Sequence, residues 1–174
     1  MMMPYGTIFA VNNVGVQSEQ LPFLFMASGL TSLFIMPIVG KLSDQWSKIK
    51  LFTLASIGMI IIGLVYTNLS TTPFYIVLII NMLLMTIIMS RMVPSSTLIS
   101  AVPEMHDRGA FMSINSSLQQ MAGGFAAIIA GMIVTQANEN APLENYNIVG
   151  YVVCCVTVVT IILMYKIQQM LRKR

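Results

Sequence analysis

The sequence has few charged residues and few residues that could carry out catalysis. Charged side chains make up 9% of the 174 residues, whereas a soluble domain carries about a quarter. The single histidine, His106, and the adjacent cysteines Cys154 and Cys155 provide neither a metal-ligand cluster nor a paired nucleophile and base within an apolar segment. These shortages argue against a soluble globular domain and against an enzyme, and we expect no cofactor and no bound metal.

Long apolar runs dominate the chain instead. Hydrophobic residues make up 56% of it, and the mean hydropathy is +0.80. Because a membrane-crossing helix needs about 20 apolar residues, we predict one all-α integral membrane domain. At about 20 Å, the first helix is too short to cross a bilayer and is predicted to be truncated. The six predicted helices span residues 1–13, 21–42, 51–67, 74–102, 109–135 and 146–165, and a basic cytoplasmic tail follows at 166–174.

Basic residues are confined to alternate loops and the tail. Eight of the nine fall in loops 41–50 and 103–108 or in the tail, the intervening loops have none, and only Arg91 lies away from the ends of a predicted helix. This segregation is typical of the positive-inside rule. It predicts a multi-pass protein of the cell inner (plasma) membrane with a cytoplasmic C-terminus. The basic residues are therefore assigned to topology, and we expect no nucleic-acid partner.

The predicted helices differ in polarity. Helices 51–67 and 146–165 are almost uniformly apolar, whereas the others contain polar or small residues within the span. Polar groups facing lipid are costly. We therefore predict a bundle with a polar interior and with these two helices at its periphery.

The fifth helix has the most regular pattern. Gly123, Ala127 and Gly131 recur every four residues, a spacing that lets a neighbouring helix approach closely. The amides near this ridge support two interpretations equally: they hydrogen-bond to neighbouring helices, or they line a solute cavity. In the fourth helix, Arg91 needs a partner or water within the membrane, and we favour this role over snorkelling. The candidate cavity-lining residues are Tyr5, Asn81, Ser90, Arg91, Asn115, Gln119 and Gln120.

The loop between the second and third helices contains a recognisable motif. Gly40 and Asp44, four residues apart and followed by Lys48 and Lys50, resemble the cytoplasmic loop motif of the major facilitator superfamily. The resemblance implies that these four residues form a gating loop. The family pattern is degenerate here, with Gln45, Ser47 and Ile49 at positions that are basic or glycine in the family. Such degeneracy is typical of the copy between helices eight and nine.

A second stretch resembles the same superfamily. Residues 91–120, including loop residues Glu104, Asp107 and Arg108, look like the helix ten to helix eleven connection of its bacterial drug and sugar efflux branch. The resemblance covers nearly the whole chain as helices seven, truncated, to twelve. It implies the carboxy-terminal half of a twelve-helix fold, with inverted three-helix repeats.

The resemblance implies secondary active, alternating-access transport of a small solute, coupled to protons or to another ion. The implied partners are the lipid bilayer, the solute and a missing N-terminal six-helix half. Asp44 would interact with the positive end of a helix in that half. A stand-alone six-helix structural or assembly subunit, or a homodimeric half-transporter, stays open as the alternative.

Overall fold

A computed structural model describes residues 3–138 and 141–173, with side chains placed at 5–138 and 141–171. The described chain confirms the predicted six-helix, all-α bundle, and its extended pairing is one isolated bridge between Thr135 and Glu144. The helices are α1 (Met3–Asn12), α2 (Leu21–Gln45), α3 (Lys48–Thr67), α4 (Phe74–Ser100), α5 (Arg108–Ile133) and α6 (Tyr146–Lys173).

Helices α2, α3 and α6 extend further than the sequence suggested. Helix α2 reaches Gln45 and α3 starts at Lys48, so the charged loop predicted at 41–50 shrinks to Trp46 and Ser47. Helix α6 continues past Tyr165 to Lys173 because the tail contains neither glycine nor proline and is rich in helix-forming residues. The tail predicted at 166–174 is therefore helical as far as it is described.

Four helices are long and apolar enough to cross a membrane in the described chain. They correspond to Ser18–Gln45, Lys48–Thr67, Phe74–Ser100 and Tyr146–Leu171. Helix α1 has 10 residues, and α5, with 26 residues, is long enough but contains a run of serine and amide side chains near its middle. Hydroxyls within the spans mostly donate to the carbonyl one turn earlier, as Thr31 does to Ala27 at 2.7 Å. This local bond satisfies a polar group that lipid cannot.

Helix α4 packs along both α2 and α3, and α3 also packs along α6. Glycine allows the closest approaches between these helices. A Cβ atom on Gly58 of α3 would lie 3.3 Å from Ile87 of α4, and a Cβ on Gly150 of α6 would overlap the Thr67 hydroxyl of α3. The apolar helix α3 therefore lies between two neighbours and buries one face, while Leu54 and Ile61 on its other face are exposed.

The two ends of the bundle are built differently. We call the end with loop residues 13–20, 68–73, 134–138 and 141–145 the clamped end, and the end with loops 46–47 and 101–107 the basic end. At the clamped end, the Asn13 side chain donates to the Leu143 carbonyl at 2.8 Å and accepts from the Leu143 amide at 2.7 Å. The Thr72 amide also donates to the Val14 carbonyl at 3.1 Å. These contacts join three loops that are distant in sequence.

Helix α5 lies at the edge of the bundle. Ala130, in the last turns, is the one buried residue among its described positions. There, a Cβ on Gly131 would lie 2.7 Å from the Tyr5 hydroxyl. The predicted polar interior therefore does not form within the described chain, because α1 is too short to cover the rest of α5.

Candidate functional site

A cavity of about 410 Å³ opens between α1, α2, α3 and α4. Its lining is mainly aliphatic, with hydroxyl, amide and phenol groups at a few positions. The lining residues are Gly6, Thr7, Ala10, Leu21, Leu24, Phe25, Ser28, Met59, Tyr66, Asn81, Leu84, Met85, Ile88 and Val153. A space of this size accommodates a small organic molecule.

The main polar contact in the cavity wall joins α2 to α4. The Ser28 Oγ atom lies 2.5 Å from Asn81 Oδ1 and 2.7 Å from the Leu24 carbonyl oxygen. A hydroxyl has one proton, so Ser28 donates to one of these oxygens at a time. A half-turn of the Asn81 amide would let both bonds form, with Asn81 donating to Ser28. This pair can therefore present a donor or an acceptor to a molecule in the cavity.

An aromatic cluster at the clamped end contributes Tyr66 to the cavity wall. Tyr66 of α3 donates to the Gly6 carbonyl of α1 at 3.3 Å. Phe9 packs against Tyr66 with ring centroids 5.6 Å apart and stacks on Tyr146 at 4.3 Å. Both distances fall in the range of favourable aromatic pairs. The cluster therefore holds α1 against α3 and α6.

The described residues of the cavity wall carry no charge. Its described lining residues include no Asp, Glu, Lys, Arg or His. A charged molecule entering an apolar space without a counter-charge would lose most of its hydration energy. The arrangement can hold a neutral or weakly polar molecule and offers it the Ser28 and Asn81 groups.

The structure places one of the candidate cavity-lining residues, Asn81, in this cavity. The Tyr5 hydroxyl instead approaches Gly131 of α5. Ser90 is half-buried and lies outside the cavity lining. Tyr5 therefore takes part in helix packing, and neither residue lines the cavity in the described chain.

Arg91 does not line the cavity but points towards α3 and α6. Its Nη2 atom donates to the Thr160 hydroxyl at 3.4 Å, and its guanidinium carbon lies 5.3 Å from the centroid of the Phe52 ring. The buried Nε has no hydrogen-bond partner among the described residues. The aromatic face and the hydroxyl stabilise the cation without a carboxylate. The guanidinium thus has an interior packing role at the basic end.

The amides of α5 also lie outside the cavity. Asn115 is half-buried, and Gln119 and Gln120 are exposed. On the small-residue ridge, Gly131 contacts Tyr5 and Ala127 is half-buried, while a Cβ on Gly123 would meet nothing within 4 Å. The Gly131 end of the predicted packing ridge therefore meets another helix in the described chain, whereas the Gly123 end does not.

The residues of the loop motif sit at the basic end. Gly40 and Asp44 lie within the last turns of α2, and Lys48 and Lys50 lie in the first turn of α3. Asp44 and Lys50 are exposed, and Lys48 is half-buried.

The second charged loop lies at the same end of the bundle. Glu104, Asp107 and Arg108 are all exposed. The one ion pair recorded among the described residues joins His106 Nδ1 to Asp107 Oδ1 at 3.0 Å. The charges of both loops are therefore available to a partner.

Sequence reasoning missed Ser28, Tyr66 and Asn13. Ser28 belongs to a polar cluster with Thr31 and Ser32 in α2, and this cluster was a usable signal. Tyr66 lies in a helix that was predicted to face lipid, and the partner of Asn13 is 130 residues away. No local pattern could have identified the last two.

Comparison with known proteins gives one match. The family model described as Major Facilitator Superfamily matches residues 1–172. No curated protein and no solved structure matches the chain.

Proposed function

The chain belongs to the major facilitator superfamily of membrane transporters, and from this premise we propose that it acts as the carboxy-terminal half of an alternating-access transporter. In this proposal the second half is a six-helix unit that covers α2 and α5. The transported molecule is a small solute, its movement is driven by an ion gradient, and its direction is efflux.

The observation that carries this proposal is the exposure of Gln119 and Gln120. They lie near the middle of α5 and are exposed in the described chain. An amide surrounded by hydrocarbon with no partner costs about 4 to 8 kcal/mol. A helix that carries two such groups at its middle is therefore expected to face water or another protein rather than lipid. A solute pathway between two halves supplies both.

The Ser28–Asn81 cavity supports the solute part of the proposal. It opens beside α2 and α4, and its wall offers a polar pair within an apolar surface. A solute bound there would be neutral and mainly apolar because the wall offers no counter-charge. The cavity would be this half's share of the solute pathway.

The contrast between the two ends of the bundle supports the alternating-access part of the proposal. We place the basic end in the cytoplasm, following the segregation of Lys and Arg, and the clamped end on the opposite side. The exposed Asp44 would then contact a helix N-terminus of the second half when the cytoplasmic side closes. The bonds at the clamped end would hold this half together as it moves.

A cysteine-accessibility experiment tests the proposal. Gln119→Cys and Gln120→Cys are introduced at the chromosomal locus, with Cys154 and Cys155 replaced by serine, so that any natural partner is present. We expect a charged, membrane-impermeant maleimide to label both at least about tenfold faster than Leu163→Cys, an exposed position on apolar α6. Bringing a charged reagent into the hydrocarbon of the bilayer is costly, and each additional barrier of about 1.4 kcal/mol slows labelling about tenfold.

Two results decide between the proposal and its alternatives. Labelling of the α5 positions as slow as that of Leu163→Cys would place them in lipid and overturn the proposal. If they do react, the size of the labelled polypeptide is informative. A band near 19.2 kDa favours the homodimeric or stand-alone subunit, and a band of about twice that mass favours a fused second half.

A further inference from the structure

A groove runs along the outer surface between α3 and α6, starting at the basic end. Its volume is about 390 Å³. It shares no lining residue with the Ser28–Asn81 cavity. Its lining residues are Ile49, Lys50, Thr53, Leu54, Ile57 and Tyr165.

The groove changes from polar to apolar along its length. Lys50 lies in the first turn of α3, and Ile57 lies about 10 Å further along the helix axis at 1.5 Å per residue. Lys50, Leu54, Ile57 and Tyr165 are all exposed. The cationic group of Lys50 thus lies at the basic end of the groove. Mainly aliphatic side chains line the rest of the groove towards the middle of the membrane.

The charges on the two groove helices all have one sign. Neither α3 nor α6 contains an Asp or Glu. The acidic residues of the basic end, Asp44, Glu104 and Asp107, belong to α2 and to the loop before α5. The basic residues of the two groove helices all lie at this end: Lys48, Lys50, Lys166, Arg172 and Lys173.

We propose that this groove binds an anionic phospholipid from the leaflet at the basic end. The phosphate would bind Lys50 and accept a hydrogen bond from the Tyr165 hydroxyl, and one acyl chain would lie along Leu54 and Ile57. A basic pocket between membrane helices is suited to anionic headgroups. The aliphatic part of the groove selects a lipid over free phosphate, because phosphate alone would leave that surface uncovered.

The single tryptophan, Trp46, provides the measurement. It lies two residues before α3 and is 53% exposed. The chain is reconstituted in vesicles that mix phosphatidylcholine with phosphatidylglycerol, with bromine atoms on the acyl chains of one lipid at a time. Quenching of Trp46 fluorescence then reports the relative association of each lipid near the basic end.

Lys50→Gln is compared with Lys41→Gln, which removes an exposed lysine of α2 at the same end. We expect wild-type protein to prefer phosphatidylglycerol and Lys50→Gln to lose about fivefold of that preference, the equivalent of about 1 kcal/mol per lysine. Lys41→Gln should retain it. Absence of a preference in the wild type, or equal losses in the two variants, would overturn the proposal.

Discussion

The clamped end and the basic end use their loops in opposite ways. Each has a large apolar loop residue, but Val14 at the clamped end is 1% exposed whereas Met105 at the basic end is 94% exposed. At the clamped end, loop residues bond to one another across the bundle. At the basic end, the helices pack together through a small apolar cluster that includes Ile49, Phe52 and Met164. The loops at this end carry charged side chains instead.

This difference predicts at which end the loops tolerate amino-acid substitutions. Loop substitutions at the clamped end remove buried bonds and should reduce stability. Loop substitutions at the basic end alter groups that water already solvates, so they should change interactions with a partner rather than the fold. Three substitution experiments test this contrast.

Asn13→Ala should have the largest effect. It leaves the amide and carbonyl of the buried Leu143 without the Asn13 side chain. Loss of these two bonds should reduce the free energy of unfolding by about 2 to 4 kcal/mol. Reversible unfolding in mixed micelles, followed by circular dichroism, measures this. Asn138→Ala, an exposed position in the same part of the chain, is the control, and equal losses in the two variants would contradict the importance of the clamp.

Gly150→Ala and Gly109→Ala form a matched pair at opposite ends. The new Cβ at position 150 would overlap Thr67, a stiff β-branched neighbour, whereas at position 109 it meets nothing within 4 Å. We expect Gly150→Ala to lose about 1 to 3 kcal/mol through overpacking. Gly109→Ala should gain up to about 1 kcal/mol from helix propensity. The same unfolding assay measures both, and a Gly150→Ala variant as stable as wild type would show that α3 and α6 are not tightly packed there.

Asp44→Asn should have the smallest effect on stability, within about 0.5 kcal/mol, because the side chain is exposed. In the two-half transporter that we propose, however, it should shift the balance between inward-open and outward-open states. The measurement is the labelling rate of Thr97→Cys, an exposed position near the basic end of α4, in a background with Cys154 and Cys155 replaced. An unchanged labelling rate would refute the gating role of Asp44.

Much of the architecture was predictable from local properties of the sequence. Apolar runs predicted the helices that the structure contains, because membrane helices satisfy their own backbone bonds and need no distant partner. The match to the family model likewise agrees with the family that the loop motif and residues 91–120 suggested.

The candidate site was less predictable, as Arg91 and Asn81 illustrate. Both are polar residues of α4, yet Asn81 lines the cavity and Arg91 binds Thr160. The sequence shows that both side chains would be costly to place in lipid, but it does not show which way each one points. That depends on which helix packs against each face of α4.

The sequence by itself determined the number of helices, their membrane character and the family, because hydropathy, charge and motif spacing are local quantities. Only the tertiary structure decided that Ser28 meets Asn81, that Asn13 clamps Leu143 and that the amides of α5 remain exposed. The first two contacts join residues 53 and 130 positions apart, and the exposure of α5 depends on how little of it α1 covers. All three features depend on how the helices pack against one another, and no single stretch of the sequence specifies that packing.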